Sequence, residues 1–333
     1  MYRLGWCKVI ILILALLGGS QHSHAQMAKV SYGGNSGYNV PLWVAYEAGL
    51  FKKHGLNIVD FTLISSGAPN IQALLADDLQ FANVAATAPI QAALQGVNVV
   101  IIATSYSRIP YSLLVRSNIK SFADLKGAKV AVSRIGGIDE LAARLAFERL
   151  GVGSKDMTFI QAGPDAQRIT ALLSSSVSAT LVAPPGLFSV ASQDVKILAD
   201  LADLDIKYPV NCIVSAKSYI NRNRDVVKKF LLAFIEGLHM YAKDKDFSIK
   251  VTEKYTKLND RNILSKSHDY FLKNTALVPL TDSAAIENAV KNAVLTEKAS
   301  NRRVEEFYDN SMIQELVAGG FVEKITKEVG SAR

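Results

Sequence analysis

The turn at residues 134–139 combines groups that could hold an oxyanion. It reads Arg134, Ile135, Gly136, Gly137, Ile138 and Asp139, between a predicted strand and a predicted helix. A guanidinium forms charge-assisted hydrogen bonds with carboxylates and sulfonates, and the free N–H groups of a helix N-terminus favour the same anions. Asp139 adds a negative charge that would partly cancel an anion site. The turn therefore predicts a ligand site and leaves an anionic, cationic, zwitterionic or pyrimidine ligand open.

Ordinary structural roles compete with this interpretation. Arg134 could form a surface ion pair with Asp139 or Glu140, and Asp139 could be the N-cap of its helix. Arg108 could reach a ligand from the opposite side of a cleft, or form a surface salt bridge. Tyr38 could supply an apolar wall or belong to the core.

Similar small polar turns follow several other predicted strands. In open α/β sheets ligands bind at the carboxyl ends of strands, where helix N-termini present unpaired N–H groups. Glycine and serine occur in any such connection, so the recurrence of these turns in both halves of the chain is the stronger signal. The candidate ligand-binding residues are Ser36, Gly37, Tyr38, Asn39, Ser66, Gly67, Ala86, Thr87, Arg108, Arg134, Gly136, Gly137, Ile138, Asp139 and Pro184.

Signatures of catalysis and of cofactor binding are missing from the sequence. It has no H-E-x-x-H, no phosphate-binding glycine loop and no Cys-x-x-Cys. His54, His239 and His268 lack metal-ligand spacing, and Cys212 is expected to be a buried small apolar residue. We therefore expect no enzyme activity, no catalytic residue, no metal and no cofactor.

The pattern of predicted elements positions these turns. Short β-type runs alternate with helical runs up to about residue 201, which is typical of mostly parallel sheets flanked by helices, an α/β fold. Beyond residue 221 the pattern is helical and begins with a long amphipathic helix at 225–243. The predicted strands cover 29–32, 57–64, 80–84, 97–104, 112–115, 129–133, 158–161, 179–183 and 195–199.

Two positions indicate where the chain crosses between domains, near 116–120 and near 208–218. Two crossings predict a discontinuous first lobe, at 26–117 and 216–333 with a helical C-terminal tail, and a continuous second lobe at 118–215. Such lobes leave a cleft between them and can close by a hinge motion at the crossings.

The N-terminus predicts export. Arg3 and Lys8 precede an apolar run at 9–17, and Ser23, His24 and Ala25 have the form of a signal-peptidase site. We expect cleavage after Ala25, which leaves a soluble periplasmic protein without a lipid anchor.

Composition agrees with a folded, exported protein. The 333 residues are 49% hydrophobic and 20% charged, which is ordinary for globular domains. The formal net charge is +7, and the basic residues are scattered, so nucleic-acid binding is not expected. We expect a monomer.

Three segments resemble a known protein family. The first, at 38–56, reads YNVPLWVAYEAGLFKKHGL; the second is IQALL at 71–75 followed by Phe81 and Ala82; the third is DLKGAKVAV at 124–132. They resemble the sulfonate, nitrate and taurine type of periplasmic solute-binding proteins of ABC importers, which includes binders of thiamine pyrimidine precursors. The resemblance covers about 27–240.

This resemblance implies a two-lobed periplasmic binding fold with two hinge crossings and delivery of a small molecule to an ABC permease in the inner membrane. Many members have a Gly-x-x-Asp-Ala turn where this chain has Ser-Ser-Val-Ser-Ala at 175–179, so that local pattern does not carry over. The ligand expected is a small polar or anionic organic molecule, such as a sulfonate or a carboxylate. The alternatives are a pyrimidine-precursor binding protein, a synthase-like enzyme on the same fold, or a partner that presents its ligand to a sensor.

Overall fold

The computed structural model describes residues 26–151, 153, 157–190, 194–204, 206–293 and 302–331. The predicted signal peptide at 1–25 lies outside the described residues. Within the described part of the chain, no helix has the length and apolarity needed to cross a bilayer.

Two five-stranded sheets form the frame of the described chain. Each of the nine predicted strands coincides with an observed one, and a tenth strand forms at the second predicted crossing, near 208–218. The strands are β1 (Gln26–Tyr32), β2 (Leu56–Leu63), β3 (Phe81–Val84), β4 (Val99–Arg108), β5 (Ser112–Arg116), β6 (Lys129–Val132), β7 (Thr158–Gln161), β8 (Ala179–Val182), β9 (Val195–Asp200) and β10 (Lys207–Ala216).

The two sheets share one topology. The first has the order β2-β1-β3-β10-β4, and the second has the order β7-β6-β8-β5-β9. In the first sheet β10 runs antiparallel to both neighbours, and β5 does so in the second. The other four strands of each sheet are therefore parallel to one another. The prediction of a two-lobed α/β fold with mostly parallel sheets is confirmed.

Sheet membership differs from the predicted lobe boundaries at two strands. β5 was expected in the first lobe, but it pairs with β8 and β9 in the second sheet. β10 was expected largely in the second lobe, but it pairs with β3 and β4 in the first sheet. The chain therefore crosses between the sheets at 109–111, just before the antiparallel strand β5, and at 201–206, just before the antiparallel strand β10. Each of these two strands belongs to the sheet that the chain is entering.

Helices cover both sheets, and local sequence explains several of their ends. A proline in the first turn opens α1, and Gly49 and Gly55 adopt positive φ at the ends of the first two helices. The helices are α1 (Val40–Glu47), α2 (Leu50–Lys53), α3 (Gly67–Leu75), α4 (Thr87–Leu94), α5 (Ile138–Arg149), α6 (Asp165–Leu173), α7 (Gly186–Val190), α8 (Lys217–Arg222), α9 (Arg224–Lys243), α10 (Lys245–Thr256), α11 (Arg261–Leu272), α12 (Ser283–Lys291), α13 (Ser311–Ala318) and α14 (Phe321–Ser331).

The core of the first sheet is rich in aromatic side chains. Phe81 and Phe230 stack with ring centroids 4.0 Å apart, and both are fully buried. Trp43 stacks on Tyr255 at 4.6 Å, which joins α1 to α10. These contacts fix the long helix α9 and the tail against the first sheet. Cys212 is buried as predicted, and burial raises the pKa of its thiol to about 12.

The C-terminal tail also covers the outer edge of β4. The Thr104 N–H donates to Pro279 O at 2.8 Å, and the Ala276 N–H donates to Ser105 O at 2.8 Å. Farther along β4, the Ile101 N–H donates to Phe307 O at 3.0 Å. Because an unpaired edge strand is a site for unwanted pairing, the tail protects this edge and belongs with the first sheet.

Candidate ligand-binding cleft

A cleft of about 610 Å³ lies between the two sheets. Its first wall is built by residues that follow β1, β2 and β3, around 33–36, 65–68 and 84–88. Its second wall is built by some of the residues within 133–139, 163–169 and 183–189, which follow β6, β7 and β8. The parallel strands of both sheets thus point their carboxyl ends into one space, as expected for an open α/β sheet.

Among the described elements, four helices of eight residues or more begin at the cleft. They are α3, α4, α5 and α6, and residues of their first turns line it. Their N-cap residues are Ser66, Ala86, Gly137 and Pro164, and none forms a side-chain capping hydrogen bond. In α10, α11 and α12, by contrast, aspartates accept hydrogen bonds from first-turn N–H groups. The cleft therefore presents helix N–H groups that no capping side chain occupies.

Arg134 lines the cleft and is half-buried. Arg134 forms no ion pair with either of its predicted partners. Asp139 pairs with Arg168 instead, and Glu140 pairs with Arg144. Within the ranges that the structure describes, no residue forms a hydrogen bond or an ion pair with the Arg134 guanidinium. Its charge is thus available to a ligand.

Asp139 has a structural role at the base of the same turn. It is not the N-cap, which is Gly137. Its buried carboxylate accepts hydrogen bonds from the Ser133 backbone N–H at 2.5 Å, the Ser133 hydroxyl at 2.8 Å and Arg168 Nη1 at 2.7 Å. Asp139 therefore holds the turn in shape, and its charge is matched within the protein.

Arg168, on α6, was not predicted from the sequence. Its buried guanidinium binds Asp139, Asp165 and the Leu181 carbonyl, the last at 2.8 Å. Burial alone would lower the pKa of Arg168, but Asp165 and Asp139 shift it upward overall. The i, i+3 spacing of Asp165 and Arg168 was the only feature of the sequence that could have indicated this ion pair. That spacing is common on exposed helix faces, so it does not single out a buried pair.

Two tyrosines line the cleft near the first crossing. The hydroxyl groups of Tyr38 and Tyr111 lie close to each other. Burial raises the pKa of Tyr38 to about 12, although the nearby Tyr111 hydroxyl acts in the opposite direction. Both tyrosines therefore stay neutral at ordinary pH and can offer hydroxyl groups or ring faces.

Ten of the fifteen predicted residues line the cleft. They are Ser36, Tyr38, Ser66, Gly67, Thr87, Arg134, Gly136, Gly137, Ile138 and Asp139. The other five, Gly37, Asn39, Ala86, Arg108 and Pro184, lie outside the lining.

These five residues were placed in the site because they belong to the same turns, but several have partners within the protein. The Asn39 side chain bonds to Gly34 O at 2.7 Å and accepts from Asn83 and Asn211. The Ala86 N–H donates to Pro209 O at 2.9 Å.

Gly37 and Pro184 connect the two walls. The Gly37 N–H donates to Pro184 O at 3.2 Å, and the Ser36 hydroxyl donates to the same oxygen at 3.4 Å. A Cβ at Gly37 would overlap the Phe271 ring, so this position needs a glycine for close packing. Gly37 therefore serves the fold and the contact between the walls.

Replacing Gly37 by alanine should destabilise the protein by about 1–3 kcal/mol, because the added methyl group forces Phe271 out of place. Gly34→Ala is the matched control, since a Cβ there meets nothing within 4 Å. Urea unfolding of both variants measures the difference. Equal stabilities would show that close packing does not explain Gly37.

Apolar side chains that the sequence analysis did not select form the rim of the cleft. Leu63 and Ile135 are 41% and 52% exposed, and they extend from opposite walls. Ile169 contributes from α6, and Leu258 contributes from the tail after α10. The cleft thus combines a polar floor with apolar walls, as small-molecule sites do. Among the described residues, no cluster of three or more His, Cys, Asp or Glu side chains could hold a metal.

Comparison with known proteins agrees with this geometry. The family described as "NMT1/THI5 like" matches residues 36–246, more than half of the chain. A Bacillus subtilis (strain 168) protein, named as a candidate aliphatic sulfonates-binding protein, is 28% identical over 269 residues, which is 74% of this chain and 80% of that protein.

Solved structures share the fold at low sequence identity. A Bordetella bronchiseptica RB50 protein superposes with a TM-score of 0.79 at 18% identity, and the match covers 89% of this chain and 98% of that one. The periplasmic nitrate-binding protein NrtA of Synechocystis PCC 6803 gives a TM-score of 0.71 at 15% identity, with 89% of each chain covered. The predicted resemblance to binding proteins of the sulfonate and nitrate type is confirmed. The chain belongs to the NMT1/THI5-like family.

Proposed function

We propose that this chain is the periplasmic solute-binding component of an ABC importer and that it captures a small organic anion in its cleft. The observation that carries the proposal is the Arg134 guanidinium, which lines the cleft without a partner among the described residues. Four helix N-termini without side-chain caps surround the same space. Together they suit the oxygen atoms of a sulfonate or a carboxylate.

The apolar rim supports a ligand with a carbon body. Leu63, Ile135, Ile169 and Leu258 border the same cleft as Arg134. An inorganic oxyanion would leave these side chains without an apolar partner, whereas an organic anion covers them. We therefore place the oxyanion at Arg134 and the helix N-termini, and the carbon body against the rim.

Closure of two lobes is part of this proposal. The first lobe would contain 26–108 and 207–331, and the second would contain 112–200, so that the hinges are the crossings at 109–111 and 201–206. Rotation about the hinges leaves the cores of both sheets intact. The contact between Gly37 and Pro184, which is present in this structure, would then break when the lobes open.

The partner in this proposal is a permease in the inner membrane, and the protein acts as an exported monomer. Relatives named for sulfonate or nitrate binding support a role in capture without chemical change. The ligand should therefore be recovered unaltered after incubation.

A stability screen tests the proposal. Short alkanesulfonates and carboxylates should raise the melting temperature, because a ligand at 100 times its dissociation constant adds about 2.7 kcal/mol of stability. Nitrate, which lacks a carbon body, should give a smaller shift at equal concentration. Solution scattering of the protein saturated with a ligand that raises the melting temperature should show a more compact particle than scattering of the free protein. A panel in which no anion raises the melting temperature would contradict the proposed function.

A further inference from the structure

Ser66 has a backbone conformation that is normally restricted to glycine. Its φ is +71° and its ψ is 160°. A residue with a side chain pays a steric cost in this region, and such residues cluster at ligand sites. A glycine adopts the same conformation freely. The presence of serine at this position therefore needs a reason that outweighs the strain.

Three other non-glycine residues in the described part of the chain have a positive φ, and helix termination explains them. Asp77, Ser175 and Lys257 lie one or two residues after the ends of α3, α6 and α10. A left-handed residue is common at that place. Ser66 instead precedes α3, and its ψ differs from that of the left-handed helical region. Helix termination therefore does not explain Ser66.

Asn70 holds Ser66 in the strained conformation. The Asn70 side chain is fully buried, and its Nδ2 donates to Ile64 O at 2.7 Å and to Ser66 O at 2.5 Å. Its Oδ1 accepts from the Ser31 hydroxyl at 2.5 Å. The Ser66 N–H donates to Gly33 O at 3.2 Å. One buried amide thus fixes two carbonyl groups of the turn, and these bonds offset the strain.

This wall of the cleft has polar groups without partners. Ser66 lines the cleft, and its hydroxyl forms no hydrogen bond with any described residue. Asn83, in β3, also lines the cleft, and its buried Oδ1 has no partner among the described residues. Gly33 joins the two, since its N–H donates to Asn83 O at 3.0 Å. Buried polar atoms are rarely unpaired, so this wall indicates a ligand that completes it.

We propose that the strain at Ser66 is retained for binding: the Ser66 hydroxyl donates to the oxyanion of the ligand, and Asn70 is the positioning residue that aims it. This inference rests on the proposed function. A hydroxyl bonded to a charged group contributes more to binding than a neutral hydrogen bond does. The protein therefore gives up stability at Ser66 and gains affinity.

The variant Ser66→Gly should move stability and affinity in opposite directions. It removes the strain and the hydroxyl together, so the melting temperature of the free protein should rise by about 1–4 °C. Binding of ethanesulfonate and propanoate, measured by calorimetric titration, should weaken about ten-fold or more. A loss of both stability and affinity would show a purely structural role and overturn the inference.

Two further variants separate the hydroxyl from the strain. Ser66→Ala removes the hydroxyl but keeps a Cβ, so it should bind as weakly as Ser66→Gly without the gain in melting temperature. Ser175→Gly relieves a positive φ at an exposed serine outside the cleft lining. It should raise the melting temperature and leave both affinities within about two-fold. Unchanged affinity in both Ser66 variants would overturn the inference.

A double-mutant cycle tests the role of Asn70. Asn70→Ala should weaken ethanesulfonate binding about ten-fold, because the turn no longer aims the hydroxyl. In the Ser66→Gly background the same change should cost less than about three-fold, since no hydroxyl remains to be aimed. Additive losses would overturn the positioning role. Circular dichroism checks folding at the titration temperature, and Asn70→Ser, which retains one donor, replaces Asn70→Ala if that variant does not fold.

The outcomes distinguish this inference from the proposed function. If ethanesulfonate and propanoate bind the unmodified protein, but equally well with serine, glycine or alanine at position 66, capture of organic anions stands and only the inference fails. If neither anion binds the unmodified protein, the proposed function fails for these two classes of ligand, and the inference fails with it.

Discussion

Replacing Arg134 by alanine should weaken binding of the organic anion by one to two orders of magnitude and leave the fold intact. A hydrogen bond to a charged group contributes about 1.5–3 kcal/mol, and about 1.4 kcal/mol corresponds to a ten-fold change in the dissociation constant. Arg134 is half-buried and has no partner among the described side chains, so its removal leaves no buried charge behind. Calorimetric titration with the best ligand of the screen measures the loss.

Arg144→Ala is the control for this variant. Arg144 lies on the helix that follows the same turn, but it pairs with Glu140 and covers the Phe159 ring outside the cleft lining. Its removal should change the affinity less than two-fold. Unchanged affinity in Arg134→Ala would contradict the anion-site assignment, and so would equal losses in both variants.

The largest expected effect on stability is that of Arg168→Met, which should lower the free energy of unfolding by about 3–5 kcal/mol. The substitution leaves the Asp139 carboxylate buried without its ion-pair partner and frees the Leu181 carbonyl. Removing one member of a buried pair costs more than the net contribution of the pair, since a desolvated charge remains. Urea unfolding monitored by circular dichroism measures the change.

An exposed ion pair provides the comparison for this variant. Arg224 pairs with Glu315, and both side chains are about half exposed, so Arg224→Met should cost less than about 1 kcal/mol. If Arg168→Met cost no more than Arg224→Met, the structural role that we give to the buried group around Arg168 would be wrong.

Local patterns in the sequence were sufficient to predict the strands and the fold class. Apolar β-type runs bounded by Gly, Pro and polar turns occur at all nine predicted strands, and periodicity identified α9. The lobe boundaries differ because the pairing of a strand is not a local property. Nothing within β5 or β10 shows that each completes the sheet the chain is about to enter.

The sequence could predict the parts of the candidate site that depend only on where a strand ends. It could not predict the parts that depend on contacts between side chains far apart in the sequence. The turn at 134–139 follows a parallel strand and necessarily reaches the cleft. By contrast, the pairing of Asp139 with Arg168 joins positions 29 residues apart, and it converts an apparent ligand contact into a structural one. Leu258 reaches the rim from the C-terminal tail, which no local pattern indicates.

A crystal structure of the protein with a bound organic anion tests the central claim most directly. We predict that oxygen atoms of the anion lie about 2.7–2.9 Å from nitrogen atoms of the Arg134 guanidinium, between the two walls, with the carbon body against Leu63 and Ile135. An anion bound outside the cleft, or inside it with Arg134 turned away, would contradict the account.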